Sequence, residues 1–171
     1  MRRTGKLVLL FCTVAVLAGG TFAVLGREKK KTVTESAGAF DLAAGTLEDL
    51  AGVSWTDDEQ TWKYTRRDGV WEADSGNGPA AEAEDARELA EQLVNLQANR
   101  KIENISSLAD YGLDDPVITV TAEWRNGGRT AYRMGEQTPF EDGYYLAVST
   151  QQDTVYTIAS PLMTDYGGNT D

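Results

Sequence analysis

Hydrophobic positions fall along this chain in three different rhythms. The first is a continuous block. Residues 7–25, LVLLFCTVAVLAGGTFAVL, carry no charge, and Arg2, Arg3 and Lys6 stand before them and Arg27, Lys29, Lys30 and Lys31 after. As a helix rising about 1.5 Å per residue, such a block reaches across a hydrocarbon core of roughly 30 Å. It predicts a transmembrane signal anchor, N-terminus in the cytoplasm. The competing reading is a cleaved signal peptide, with a basic start, an apolar stretch at 7–17, and Ala18, Gly19, Gly20 and Ala23 near a cleavage point. Apolarity resumes from Phe22 to Leu25 and four cations follow, which favours the anchor.

The second rhythm is alternation. Trp62 and Tyr64 alternate with Thr61, Lys63 and Thr65, as in a half-buried strand. Asp68-Gly69 then joins this strand to Val70-Trp71 as a tight hairpin, and the stretch around Val53 and Trp55 predicts an earlier strand. Alternation returns after Pro116, where Ile118, Val120, Ala122 and Trp124 share one face. Asn126-Gly127-Gly128 turns the chain back through Thr130 to Met134, and strands follow around Tyr144 to Val148 and Thr154 to Ile158.

The third rhythm is helical. Pro79 suits a first helical position, and Ala83, Ala86, Leu89, Ala90, Leu93, Val94 and Leu96 line one face of a helix expected to run to about Ala98. Glu82, Glu84 and Asp85 sit at its positive end, and Arg100 and Lys101 lie past its negative end. A helix beside one sheet is most simply its cover.

Between helix and second strand set lies a sharply specified corner. Ser106 or Ser107 can cap a short turn through Leu108, Ala109, Asp110 and Tyr111. Gly112 can stop it in the left-handed conformation, with Leu113 folding back onto Leu108. Asp115, held extended by Pro116, restarts the chain as a strand. Ser160 and Pro161 read as the cap and start of a last short helix. The expected fold class is α+β: a transmembrane helix, then one domain with an antiparallel sheet (hairpin, main helix, β-meander) and one principal covering helix. The organisation is a basic flank at 1–6, the anchor at 7–25, a linker at 26–45, the domain at 46–166 and a tail at 167–171.

Charge narrows the function. From Thr32 onward, 9 Lys or Arg face 26 Asp or Glu, a net charge of −17, which repels nucleic acid and anionic headgroups. There is no histidine, and Cys12 is the only cysteine. Histidine bases, Ser-His-Asp and Cys-His systems, zinc fingers and thiol redox chemistry are therefore excluded. Phe11 precedes Cys12, where a bacterial lipid-modified cysteine needs a small residue, so Cys12 reads as an apolar member of the block. Phosphate loops, dinucleotide fingerprints and Gly-x-Ser-x-Gly or Ser-x-x-Lys motifs are absent from the sequence. The expectation is no catalytic residue, no cofactor and no metal ligand set. Paired carboxylates are too frequent for any pair to mark a hydrolase.

The ordered motifs Asp68-Gly-Val-Trp71, the helix with Leu93 and Leu96, Leu108-Ala-Asp-Tyr-Gly-Leu-Asp-Asp-Pro116, Gly135-Glu-Gln-Thr-Pro139, Gly143-Tyr-Tyr145 and Thr154-Val-Tyr-Thr157 resemble the bacterial family of domains of unknown function 4340. The resemblance covers roughly residues 50–165. It implies a membrane-anchored protein, without established activity, whose relatives in some cases stand beside ATP-binding-cassette transporters and gliding-motility-like components. The function that follows is a non-catalytic accessory or scaffolding domain of an envelope complex. It would be single-pass in the bacterial cytoplasmic membrane through the block at 7–25, with its C-terminal domain outside and an envelope or transporter protein as partner.

The candidate interaction or structural corner comprises Tyr111, Gly112, Leu113, Asp114, Asp115, Pro116, Tyr144 and Tyr145. The plainest reading of residues 111–116 is a structural stop and restart. Alternatives are a cell-surface ligand-binding module, for a cation held by Asp110, Asp114 and Asp115 or a glycan stacked on Trp124 and the tyrosines, and then a carboxylate-based hydrolase. Adjacent strand residues point to opposite faces, so Tyr144 and Tyr145 should divide between core and surface.

Overall fold

The computed structural model describes residues 32–56, 60–74, 83–139 and 143–162. The block at 7–25, Asp57-Asp58-Glu59, Pro79, Glu141-Asp142 and the tail at 167–171 lie outside them. Among the described residues no helix is long and apolar enough to cross a membrane.

Nine strands, β1 (Thr34–Asp41), β2 (Leu50–Thr56), β3 (Thr61–Arg67), β4 (Val70–Ala73), β5 (Gln97–Glu103), β6 (Ile118–Trp124), β7 (Arg129–Gln137), β8 (Tyr144–Val148) and β9 (Thr154–Ile158), form one sheet in the order β1-β5-β9-β8-β7-β6-β2-β3-β4. Every pairing is antiparallel. Among the described residues a single α-helix, α1 (Ala83–Val94), lies between β4 and β5 in sequence and packs on β2 and β4. The α+β expectation is thereby corrected: the described residues are mostly one antiparallel sheet, with one 12-residue helix and no transmembrane helix among them.

Two strands account for the difference. β1 lies inside the stretch read as a linker. All but two of its residues are exposed, so no period marks it. It is held by its backbone ladder to β5, by the Arg100–Glu35 ion pair and by Phe40, whose ring meets that of Tyr156 at 6.4 Å. β5 begins inside the predicted helix. The helix stops at Val94, and Asn95 turns its side-chain amide back to donate to the Glu91 carbonyl at 2.8 Å. Leu96 and Ala98 continue the apolar pattern, but they are buried after the helix end, Ala98 as part of β5. A burial pattern alone cannot distinguish the two states over so short a stretch. Ala159 and Ser160 form a bend, and the short helix expected to start at Pro161 lies, beyond Leu162, outside the described residues.

The hairpin chemistry follows from the residues. β3 and β4 pair Arg67 with Val70 across Asp68 (φ 48°) and Gly69 (φ 84°), a two-residue turn that requires positive φ at both places. β6 buries Ile118, Val120, Ala122 and Trp124 on one face. The main core joins this row to Trp55, Trp62, Tyr64 and Trp71 and to Ala86, Leu89, Ala90 and Leu93 of α1. β9 is buried at all five positions, with Val155 in a smaller cluster and Tyr156 and Ile158 in the main core.

Tyr132 is fully buried in the main core, and its hydroxyl donates to the Leu42 carbonyl at 3.3 Å. Burial pushes its phenol up to about 12. A phenol raised in the folded state ionises first in the unfolded chain, where it titrates near 10. Its contribution is therefore complete below pH 10 and is lost as pH rises toward 12, on the order of 3 kcal/mol in all. Chemical denaturation at pH 8 and pH 11.5 should show this loss for the native chain, and Tyr132→Phe should remove the part of the slope that Tyr132 supplies.

Candidate interaction surface

The corner is built as its residues dictate. The Ser107 hydroxyl accepts the Ala109 N–H at 3.1 Å and opens a single 3₁₀ turn, Ala109–Tyr111. Gly112 takes φ 66° and ψ 24°, the left-handed region. The Gly112 N–H then donates to the Ala109 carbonyl at 3.1 Å and the Leu113 N–H to the Leu108 carbonyl at 3.1 Å, the paired bonds of a Schellman stop. Leu113 is fully buried in the smaller cluster with Ile102, Ile105, Ala147 and Val155, and Leu108 packs against it. Asp114 and Asp115 are exposed, Pro116 is half-buried, and β6 follows.

A Cβ at position 112 would meet nothing within 4 Å, so replacing Gly112 tests backbone conformation alone. Gly112→Ala should cost about 1 kcal/mol, and Gly112→Asn less, because asparagine tolerates this region better. Urea denaturation of the three chains checks both values.

The corner seats on β7. A Cβ at Gly135 would lie 3.1 Å from the Tyr111 carbonyl oxygen and 3.3 Å from that of Gly112. Only a glycine lets the corner's backbone come this close. Tyr111 then meets Tyr145 of β8 edge to face, ring centroids 5.2 Å apart at 74°. Tyr144 leaves on the other face and packs against the main core. Burial raises the Tyr111 phenol above its usual range, with the neighbouring Tyr145 adding to the effect.

Beside this tyrosine pair opens a cavity of about 290 Å³, lined by Val33, Tyr111, Pro139 and Tyr145 and by the Glu35–Arg100 ion pair. Of the eight singled-out corner residues, the structure gathers Tyr111, Gly112, Leu113 and Tyr145 around one site. Asp114, Asp115 and Pro116 belong to the chain's exit, and Tyr144 belongs elsewhere. Sequence reasoning missed Val33, Glu35 and Arg100, because they come together only through the unrecognised pairing of β1 with β5. Pro139 was visible as part of its motif, but not its place in the cavity.

The alternative chemistries find less. Among the described residues no group of three or more Asp, Glu, His or Cys is placed to hold a metal ion. Trp124 is buried, with its indole N–H donating to Thr130 Oγ1 at 3.0 Å, so it forms no exposed stacking platform with the tyrosines.

The family model described as Domain of unknown function (DUF4340) matches residues 71–167, more than half of the chain. The match starts within β4 and takes in α1, the corner and β5 to β9. No curated protein and no solved structure matches the chain.

Proposed function

The chain belongs to the family of domains of unknown function DUF4340, and on that premise we propose that it is a non-catalytic accessory domain that binds a protein of an envelope complex. The partner class is a transporter or another membrane protein. The location is the outer side of the bacterial cytoplasmic membrane, with the apolar block at 7–25 as the tether. The observation that carries the partner-binding reading is the cavity beside Tyr111 and Tyr145. Its rim offers apolar and aromatic contact area on a domain whose surface is otherwise strongly acidic, and amphipathic tyrosines of this kind are favoured anchors at protein interfaces. Val33 is 48% exposed at this rim.

The test is a rim variant that spares the core. Val33→Glu with Pro139→Glu places two charges where a partner would bury them. Proteins recovered with the native full chain in mild detergent should be lost with the double variant, while its melting temperature stays within about 2 °C of native, as surface exchanges usually allow. Recovery of the same proteins by both chains would reject this surface.

A further inference from the structure

The strongest unused feature is Arg133 on β7. Of the nine cations from Thr32 onward, six make ion pairs with carboxylates: Lys63, Arg67, Arg87, Arg100, Lys101 and Arg129. Arg66 and Arg125 donate to backbone carbonyls, of Leu47 and Glu48. Among the described residues, Arg133 alone has no such partner. In a stretch with 26 carboxylates against 9 cations, an unanswered guanidinium is conspicuous, because pairing is the default outcome there.

Arg133 is opposite Ala147 in the β7–β8 register, and Ala147 belongs to the smaller cluster. By strand alternation it shares its face with Gly135, where the corner sits. It lines a second cavity of about 290 Å³ together with Leu108, Ala147, Ser149, Gln151 and Gln152. The polar groups of this wall are biased toward donation. The Ser149 oxygen already accepts the Ala131 N–H at 2.9 Å, which leaves its hydroxyl hydrogen to give. The Gln151 carbonyl oxygen already accepts the Tyr156 hydroxyl, which leaves its NH₂ group. Among the described residues no carboxylate lines this cavity. Leu108 and Ala147 supply apolar lining.

We propose that this second cavity binds a peptide carboxylate, with Arg133 as its counter-ion, the Ser149 hydroxyl and Gln151 amide as further donors, and Leu108 and Ala147 receiving the adjacent apolar side chain. A guanidinium fork matches a carboxylate's two oxygens, and this geometry gives direction as well as attraction. The carboxylate is either a chain end or an acidic side chain. The site stands apart from the tyrosine rim and does not depend on it.

The experiment is ligand-observed NMR on the full chain in detergent micelles with three probes: N-acetyl-Leu-Ala with a free carboxylate, the same dipeptide as its C-terminal amide, and N-acetyl-Asp-amide. At least one carboxylate probe should bind in the millimolar range, with the amide about tenfold weaker, the size expected for losing one charge-assisted contact. Arg133→Gln should weaken that binding about tenfold, whereas Arg129→Gln, which removes a paired cation, should not. Stronger binding of the dipeptide marks a chain end as the source, and stronger binding of the aspartyl probe marks a side chain. The proposal is overturned if neither carboxylate probe binds, if the amide binds as well as the acid, or if Arg133→Gln, with an unchanged melting temperature, binds like the native chain. Loss of the rim partner in the Val33/Pro139 variant has no bearing on these outcomes, so the two readings fail separately.

Discussion

Trp55→Ala is expected to destabilise the domain by about 3–5 kcal/mol, the range for removing a large aromatic from a packed core. Trp55 is 1% exposed. Its ring is stacked with Trp62 at 5.8 Å and 13° and with Tyr64 at 5.5 Å and 5°. β2, which carries it, joins β3 to β6, so this stack stands where the hairpin edge meets the meander. Deleting the indole leaves a cavity that two β3 rings cannot fill without losing their own register. Domains have only about 5–15 kcal/mol of stability in total, so much of the folded margin disappears. A melting temperature lower by about 10–20 °C is the calorimetric signature, with Trp55→Phe recovering more than half. A drop of only a few degrees for Trp55→Ala would mean that the stack does not anchor the core.

Gly135→Val should cost about 2–4 kcal/mol and loosen one region far more than the rest. The added Cβ meets the carbonyl oxygens of Tyr111 and Gly112 at 3.1 and 3.3 Å and Leu113 Cδ2 at 3.2 Å. Two of these three neighbours are backbone, which cannot rotate aside as a side-chain tip does. Relief requires the corner to lift, withdrawing Leu113 from its cluster and parting Tyr111 from Tyr145. Hydrogen exchange should therefore accelerate at residues 108–116, while α1 and β6 change only by the global loss. Uniform acceleration would show that the corner is not seated through Gly135.

Local chemistry decided which elements could be read from the sequence. Asp68-Gly69 specifies its turn by its own backbone preferences. Gly112, Leu108 and Leu113 specify the Schellman stop within six residues, and Ile118 to Trp124 show alternation because one face is covered and the other is not. β1 carries no such mark: an edge strand with six exposed residues of eight depends on a partner more than fifty residues away. β5 imitates the end of α1, since Leu96 and Ala98 fall where helical periodicity would place them. The candidate site divides along the same line. Tyr111 and Tyr145 were legible from their motifs. The cavity between them and Val33, Glu35 and Arg100 was not, because it exists only when β1 is added to the sheet.

Site-directed photo-crosslinking in native membranes tests the functional account most directly. A photoreactive residue at Val33 or Pro139 stands at the tyrosine rim, and one at Val70, 60% exposed on the β3–β4 hairpin, serves as the control. The account predicts a discrete adduct from both rim positions, with peptides of one envelope membrane protein, and no such adduct from Val70. Absence of any adduct at the rim, or identical products from all three positions, would contradict it.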